Sequence, residues 1–217
     1  MFYEPKGNDH GLPHDPFKSC VIPRPIGWIS TLSFDGIPNL TPYSQSQNLT
    51  FDPPSVMFAA NQTTDGRRKD SVANAEQSGG FVYDMATYDL REAVTLSAQQ
   101  VPPEADEFEL AKVTKAPSKL VKAHRVAESR VHFECLYYQT LRLPGNSPMS
   151  TVDIVIGKFI GIHIKDEFIT SDGKLNVLEI RPIPRLGYYD YAIVESVFEM
   201  AIPAPDEKLR SGVEGSR

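Results

Sequence analysis

Residues 26–42 read IGWISTLSFDGIPNLTP, and the fold class follows from them. Ile26, Trp28, Ser30, Leu32 and Phe34 alternate with Gly27, Ile29, Thr31 and Ser33. A period of two over this length marks a β-strand, here with a polar patch at Ser30 and Thr31. Asp35-Gly36 is a hairpin turn signal, so Ile37–Pro42 returns antiparallel to the first strand. Pro38 and Pro42 suit a strand end or a sheet edge, where a missing N–H costs least.

The flanking chain repeats the theme. Tyr43–Asn48 (YSQSQN) reads as a polar loop, and Ser55–Ala60 (SVMFAA) as a buried strand. Further strands are expected at Gly80–Met85, Arg130–Leu141, Val152–Ile164 and Ile193–Met200. Between them fit a helix at Ser71–Ser78, one at Asp89–Gln99 with Asp89 as possible N-cap, and a short one within Val101–Lys115. Strands linked mostly by turns, with no sustained βαβ alternation, predict a mainly β chain: an antiparallel barrel with inserted helices. Residues 1–20, rich in Pro, Gly and His, read as an arm, 21–202 as the domain and 203–217 as a loose tail.

Composition narrows the function. The 217 residues are 41% hydrophobic and 23% charged with a net charge of −6, the profile of a folded protein with no long basic run for nucleic acid. No apolar run approaches a membrane span, and the leading MFYEPKGNDHG has no signal-peptide core, so a cytoplasmic protein is expected. Cys20 and Cys135 are expected to be free thiols. His10 and His14 have metal-compatible spacing but sit in the Gly/Pro-rich arm, so no metal site is expected. GxGxxG, GxxxxGK[ST] and GxSxG are all absent, which removes the dinucleotide, P-loop and nucleophile-elbow fingerprints.

Asn61–Gly79, NQTTDGRRKDSVANAEQSG, carries the strongest functional signal. A polar stretch ends in the turn dipeptide Asp65-Gly66, followed by Arg67, Arg68 and Lys69. Asp70 or Ser71 is a good N-cap, and Gly79 a plausible stop. Cations placed at a helix N-terminus, where backbone N–H groups are free, bind phosphate. A solvated basic turn is the plainer alternative. Two more polar clusters stand to converge with it: Ser30-Thr31, and Ser44–Asn48 before the buried strand. Hydroxyls and amides there suit the edge of a planar heteroaromatic ring, with the cationic turn on an attached phosphate. Strand filler and solvent loop are their plainer readings. His163 lies on the face of Gly157 and Gly161, either as a donor near a ring or as a hydrogen-bonded strand residue.

These residues resemble the flavin reductase-like family of FMN-binding split barrels, and within it the flavoredoxin-like branch. The likeness is carried by RPIGWISTLSFDGIPNLTPYSQSQNLTFDPPSVMFA, then DGRRKDSVANAEQSGGFV, GKFIGIHI and RPIPRLGYYDY, over roughly residues 20–200. It implies a homodimer of split β-barrels with FMN near the subunit interface. By motif position it implies a phosphate grip of Arg67, Lys69, Asp70 and Ser71, supported by Asn74. Ser30 and Thr31 would meet the ribityl chain or ring edge, Ser46, Gln47 and Asn48 the isoalloxazine, and Asn61 the ribityl. His163 matches a family histidine and is the one candidate for a catalytic role. Gln45 and Gln47 are bulkier than the small residues common in that loop. The resemblance further implies NAD(P)H as hydride donor, FMN as cofactor, and a flavin or other electron acceptor as partner. A flavin carrier without its own turnover is the alternative, and an FMN-free interaction module a third.

Overall fold

The computed structural model describes residues 1–200. The hairpin forms as read: β1 (Gly27–Leu32) pairs antiparallel with β2 (Pro38–Tyr43), and Thr31 faces Asn39. Gly36 supplies the turn with φ +82°, a conformation that glycine adopts without strain. The remaining strands are β3 (Ser46–Phe51), β4 (Pro54–Asn61), β5 (Gly80–Met85), β6 (Val131–Leu143) and β7 (Val152–Ile164). They form one antiparallel sheet in the order β2-β1-β5-β6-β7-β4-β3. Its two edges, β2 and β3, are separated in the chain by only Ser44 and Gln45. The sheet therefore has to curl until its edges meet. Ser46 of β3 bonds the Gly27 amide of β1 across the seam at 2.9 Å, but no ladder joins β2 to β3. The result is a split barrel, mainly β with inserted helices.

Two apolar clusters fill it. Ile29, Phe58, Phe81, Cys135 and Val155 pack inside the barrel, with Val72 and Ala75 of helix α1 (Asp70–Ser78) closing one side. Trp28, Leu40, Val94, Phe108 and Ile183 pack outside it, beneath α2 (Arg91–Leu96) and α3 (Glu107–Ala111). β1 is thus buried on both faces. Trp28 satisfies its indole N–H on Ser97 Oγ at 2.8 Å.

Four expectations need correction. Ser46–Asn48 open strand β3 instead of continuing a loop; Gln47 and Asn48 are exposed on an edge strand, where burial imposes no apolar alternation. Asp89 does not cap a helix: Tyr88–Leu90 is a 3-10 turn ahead of α2, and the Asp89 carboxylate binds Arg130. The two faces expected for Arg130–Leu141 mix, because the β6–β7 register shifts at Glu134/Cys135 and Tyr137/Gln139 and the loop before β6 covers His132 and Glu134. Ile193–Met200 is paired with no strand among the described residues, and its Val197, Phe198 and Met200 are exposed. The expected tail at 203–217 lies outside the described residues.

Candidate functional site

The cationic segment is built from a stapled turn. Gly66 takes φ +81°, and the Thr63 hydroxyl bridges the Arg67 amide (2.9 Å) and carbonyl (3.0 Å). This fixes where Arg67 leaves the turn and aims the chain into α1. The helix begins at Asp70 with Lys69 as N-cap residue and no side-chain cap, so neither Asp70 nor Ser71 caps it. Asp70 instead adds a carboxylate to the first turn, and the Ser71 hydroxyl pairs with the Tyr43 hydroxyl. The first amides of α1 have no acceptor within the helix, as at any helix start.

The three neighbouring cations have different surroundings. Arg68 is committed to structure: its guanidinium grips Glu76 at 2.6 and 2.8 Å, and its Nε donates to Asp153 at 3.1 Å. Asp153, buried at the start of β7, also accepts Arg142 at 2.7 and 3.1 Å. Arg67 is exposed and pairs with Asp65 at 2.8 Å. Lys69 is partly buried and makes no ion pair among the described residues. Burial lowers its pKa, and the neighbouring Asp70 opposes that shift. A partly buried ammonium without a counter-ion is a natural seat for an anion.

Lys69 stands between two lobes of a polar cavity. One lobe, of about 430 Å³, is lined by Asn39, Arg67, Asp70, Ser71, Gln99 and Glu107. The other, of about 270 Å³, is lined by Gln45, Ala59, Asn61, Gln62 and Met149. Thr41, Tyr43, Lys69, Ala98 and Gln100 border both. Tyr43 is buried, which pushes its hydroxyl pKa up and keeps it a neutral donor and acceptor. A larger apolar cavity of about 570 Å³, bordered by Tyr88, Val94, Ile183 and Tyr191, lacks the cationic turn.

A chain of buried polar groups backs the first lobe. Asn74 Nδ2 donates to Thr31 Oγ1 (3.3 Å), Thr31 Oγ1 to Asn39 Oδ1 (3.2 Å), and Asn39 Nδ2 to Glu107 Oε1 (2.7 Å). Burial pushes the Glu107 carboxyl up to about 7, against the hydrogen bonds it accepts from Leu40 and Asn39 and with help from the Asp70 charge.

The cavity gathers Asn61, Arg67, Lys69, Asp70 and Ser71 of the residues named from sequence. The others lie elsewhere. Thr31 and Asn74 support the wall through the polar chain. Ser30 is fully buried outside the barrel with an unpartnered hydroxyl. Ser46 holds the seam, accepting from the Gly27 amide at 2.9 Å and donating to the Pro25 carbonyl at 3.0 Å. Gln47 and Asn48 bond each other on the exposed edge. His163 Nε2 lies 2.6 Å from Glu134 Oε1, and Glu134 in turn accepts the backbone amides of Lys119, Leu120 and Val121. Asp153, beside the cationic turn, precedes it by ten residues of strand, about 33 Å at the usual rise. His163 is therefore a structural partner of Glu134 within this chain.

Sequence reading missed Asn39, Thr41, Tyr43, Gln100 and Glu107. Asn39, Thr41 and Tyr43 alternate along β2, a period that was available. Glu107 sits in an acidic run that looks solvated, and nothing local signals its burial.

The donor set fits a phosphorylated planar ligand: an unpaired ammonium, a hydroxyl and a helix start at one point, with side-chain amides around a second lobe. A model of the flavin reductase like domain matches residues 19–192. A protein of Aquifex aeolicus (strain VF5), described as uncharacterized, is 36% identical over 177 residues, covering 81% of this chain and 87% of the relative. Nitrilotriacetate monooxygenase component B from Bacillus cereus superposes with a TM-score of 0.82 at 26% identity, covering 92% of this chain and 98% of that one. The fold is shared with flavoredoxin of Desulfovibrio vulgaris (Miyazaki F), at TM-score 0.71 and 16% identity, over 86% of this chain and 94% of that one. With four-fifths of its length inside the matched domain, this chain belongs to the flavin reductase-like split-barrel family.

Proposed function

We propose that this chain is an FMN-dependent oxidoreductase that takes hydride from NAD(P)H and passes electrons to a flavin or another acceptor. The observation that carries the reading is Lys69: a partly buried ammonium, free of ion pairs among the described residues, at the start of α1 and between two lobes of a polar cavity. FMN, when bound, supplies the hydride-accepting and electron-releasing chemistry. The chain's own residues bind and orient. Lys69, Arg67 and the Ser71 hydroxyl hold the phosphate, with the first amides of α1 completing the grip. Tyr43 accepts or donates at Ser71 Oγ, which fixes the position of that hydroxyl beside the cavity. Asn61, tied to the Met149 carbonyl at 3.2 Å, and Gln45 frame the smaller lobe.

The reading includes a homodimer with the flavin near its interface. The exposed apolar side chains of β6 and β7, Leu136 and Tyr138 on one and Ile160, Ile162 and Ile164 on the other, support this as surface for a second copy to cover. A cytoplasmic setting accords with the free thiols of Cys20 and Cys135. No helix among the described residues is long and apolar enough to cross a membrane. Anaerobic addition of NADH or NADPH to the FMN-loaded protein tests the activity. Loss of the oxidised flavin's visible absorption is expected; persistence of that absorption with both donors removes the reductase reading and leaves a flavin carrier.

A further inference from the structure

We propose that Glu107 takes up a proton when a phosphorylated ligand settles on the Lys69–Ser71 turn, so that the cavity favours phosphate less strongly as pH rises past neutrality. The inference rests on reading this cavity as the flavin phosphate site. Glu107 opens α3 (Glu107–Ala111) and lines the same lobe as Lys69, Asp70 and Ser71. It is 6% exposed. Its Oε1 accepts Asn39 Nδ2 at 2.7 Å, its Oε2 accepts the Leu40 amide at 3.4 Å, and no cation pairs with it among the described residues. A carboxylate so placed is already costly to ionise.

The charged groups around it do not relieve that cost. Asp70 faces it from α1 and raises its pKa further. Tyr43 of β2 is neutral. Arg67 is paired with Asp65, and on the flank of α3 Lys115 is paired with Asp106. Glu109, on α3 itself, adds a second acid, while residues 98–103 carry no charge. Arg91 and Glu92 of α2 pair at 3.5 Å and border a different cavity. Arg68 is held by Glu76 and Asp153, so among the described residues Lys69 is the one cation of the lobe left to balance negative charge, and a bound phosphate claims it. Burial, only partly offset by the hydrogen bonds it accepts, already brings the Glu107 carboxyl to about 7, so a dianion beside it moves its titration higher. Below neutrality the carboxyl is protonated and does not oppose the phosphate. Above neutrality the solvent must first deliver a proton to it, and affinity falls with each unit of pH.

Calorimetry on flavin-free protein tests this in two buffers of different ionisation enthalpy. At about pH 7.5 free FMN is nearly all dianion, since its second pKa is about 6, so its own proton release is small. We expect uptake of roughly half a proton with FMN and about none with riboflavin. Glu107→Gln, which keeps an acceptor for Asn39, should abolish the uptake. It should also remove a roughly threefold loss of FMN affinity per pH unit near pH 7.5. The wild-type comparison needs no variant. FMN binding without proton uptake, or undiminished uptake in Glu107→Gln, overturns the inference alone. Absence of FMN binding overturns it together with the reading of the cavity.

Discussion

Lys69 and Arg67 are two residues apart, yet only one has lost water. Arg67 is exposed and screened, and Asp65 already occupies its guanidinium, so a phosphate gains little from it. Lys69 is partly buried, and a charge-assisted hydrogen bond there is worth about 1.5–3 kcal/mol. Lys69→Ala should therefore weaken FMN by about tenfold or more. Arg67→Ala should weaken it by less than about threefold. Fluorescence titration of each variant checks the order, and equal losses would contradict it. At this scale the sequence placed the turn correctly because Asp65-Gly66 and the cations are local signals. It did not separate Arg68 from Lys69, because one carboxylate that claims Arg68 lies on β7, 85 residues away, and nothing local marks Glu76, eight residues on, as the other. Ser30 and Ser46 misled for the same reason: a hydroxyl reads alike whether it faces a ligand, the core or the Gly27 amide.

Elements hold the site through two close approaches. Asp153 ties the start of β7 to the turn before α1 through Arg68, and to β6 through Arg142. Burial pushes the Asp153 carboxyl up, but the two guanidiniums outweigh it and hold its pKa below the usual carboxylate range. Asp153→Ala leaves two guanidiniums facing each other and should cost about 3 kcal/mol in denaturant-induced unfolding. It should also weaken FMN, because the turn loses its anchor on β7; unchanged stability would contradict this role. Gly157 is the other contact. A Cβ there would lie 2.5 Å from the Phe81 ring and 3.2 Å from Cys135 Cβ. Gly157→Ala should therefore destabilise the barrel by about 1–3 kcal/mol, measured the same way. The neighbour that requires glycine at this position is a core aromatic ring. Strand existence was legible wherever at least one face is buried, as in β1, β4, β5 and β7. It failed at β3 and at Ile193–Met200, where the expected burial pattern depends on a neighbour that local sequence does not specify.

The whole molecule exposes apolar side chains along its two longest strands. Leu136 and Tyr138 on β6, and Ile160, Ile162 and Ile164 on β7, are each 37–55% exposed in the single chain. The proposed dimer covers part of this surface. Leu136→Lys combined with Ile162→Lys should convert a dimer into a folded monomer, read by sedimentation and circular dichroism. A wild-type protein that sediments as a monomer would contradict the proposed assembly. The barrel's curl, forced by the two-residue link between its edges, brings β2, β4 and the start of α1 around one cavity. The central claim is that this cavity holds a flavin by its phosphate. The most direct measurement is titration of the flavin-free protein with FMN and, separately, with riboflavin at one neutral pH. Two charge-assisted hydrogen bonds predict FMN binding about 100-fold tighter than riboflavin. Equal dissociation constants for the two ligands would contradict it.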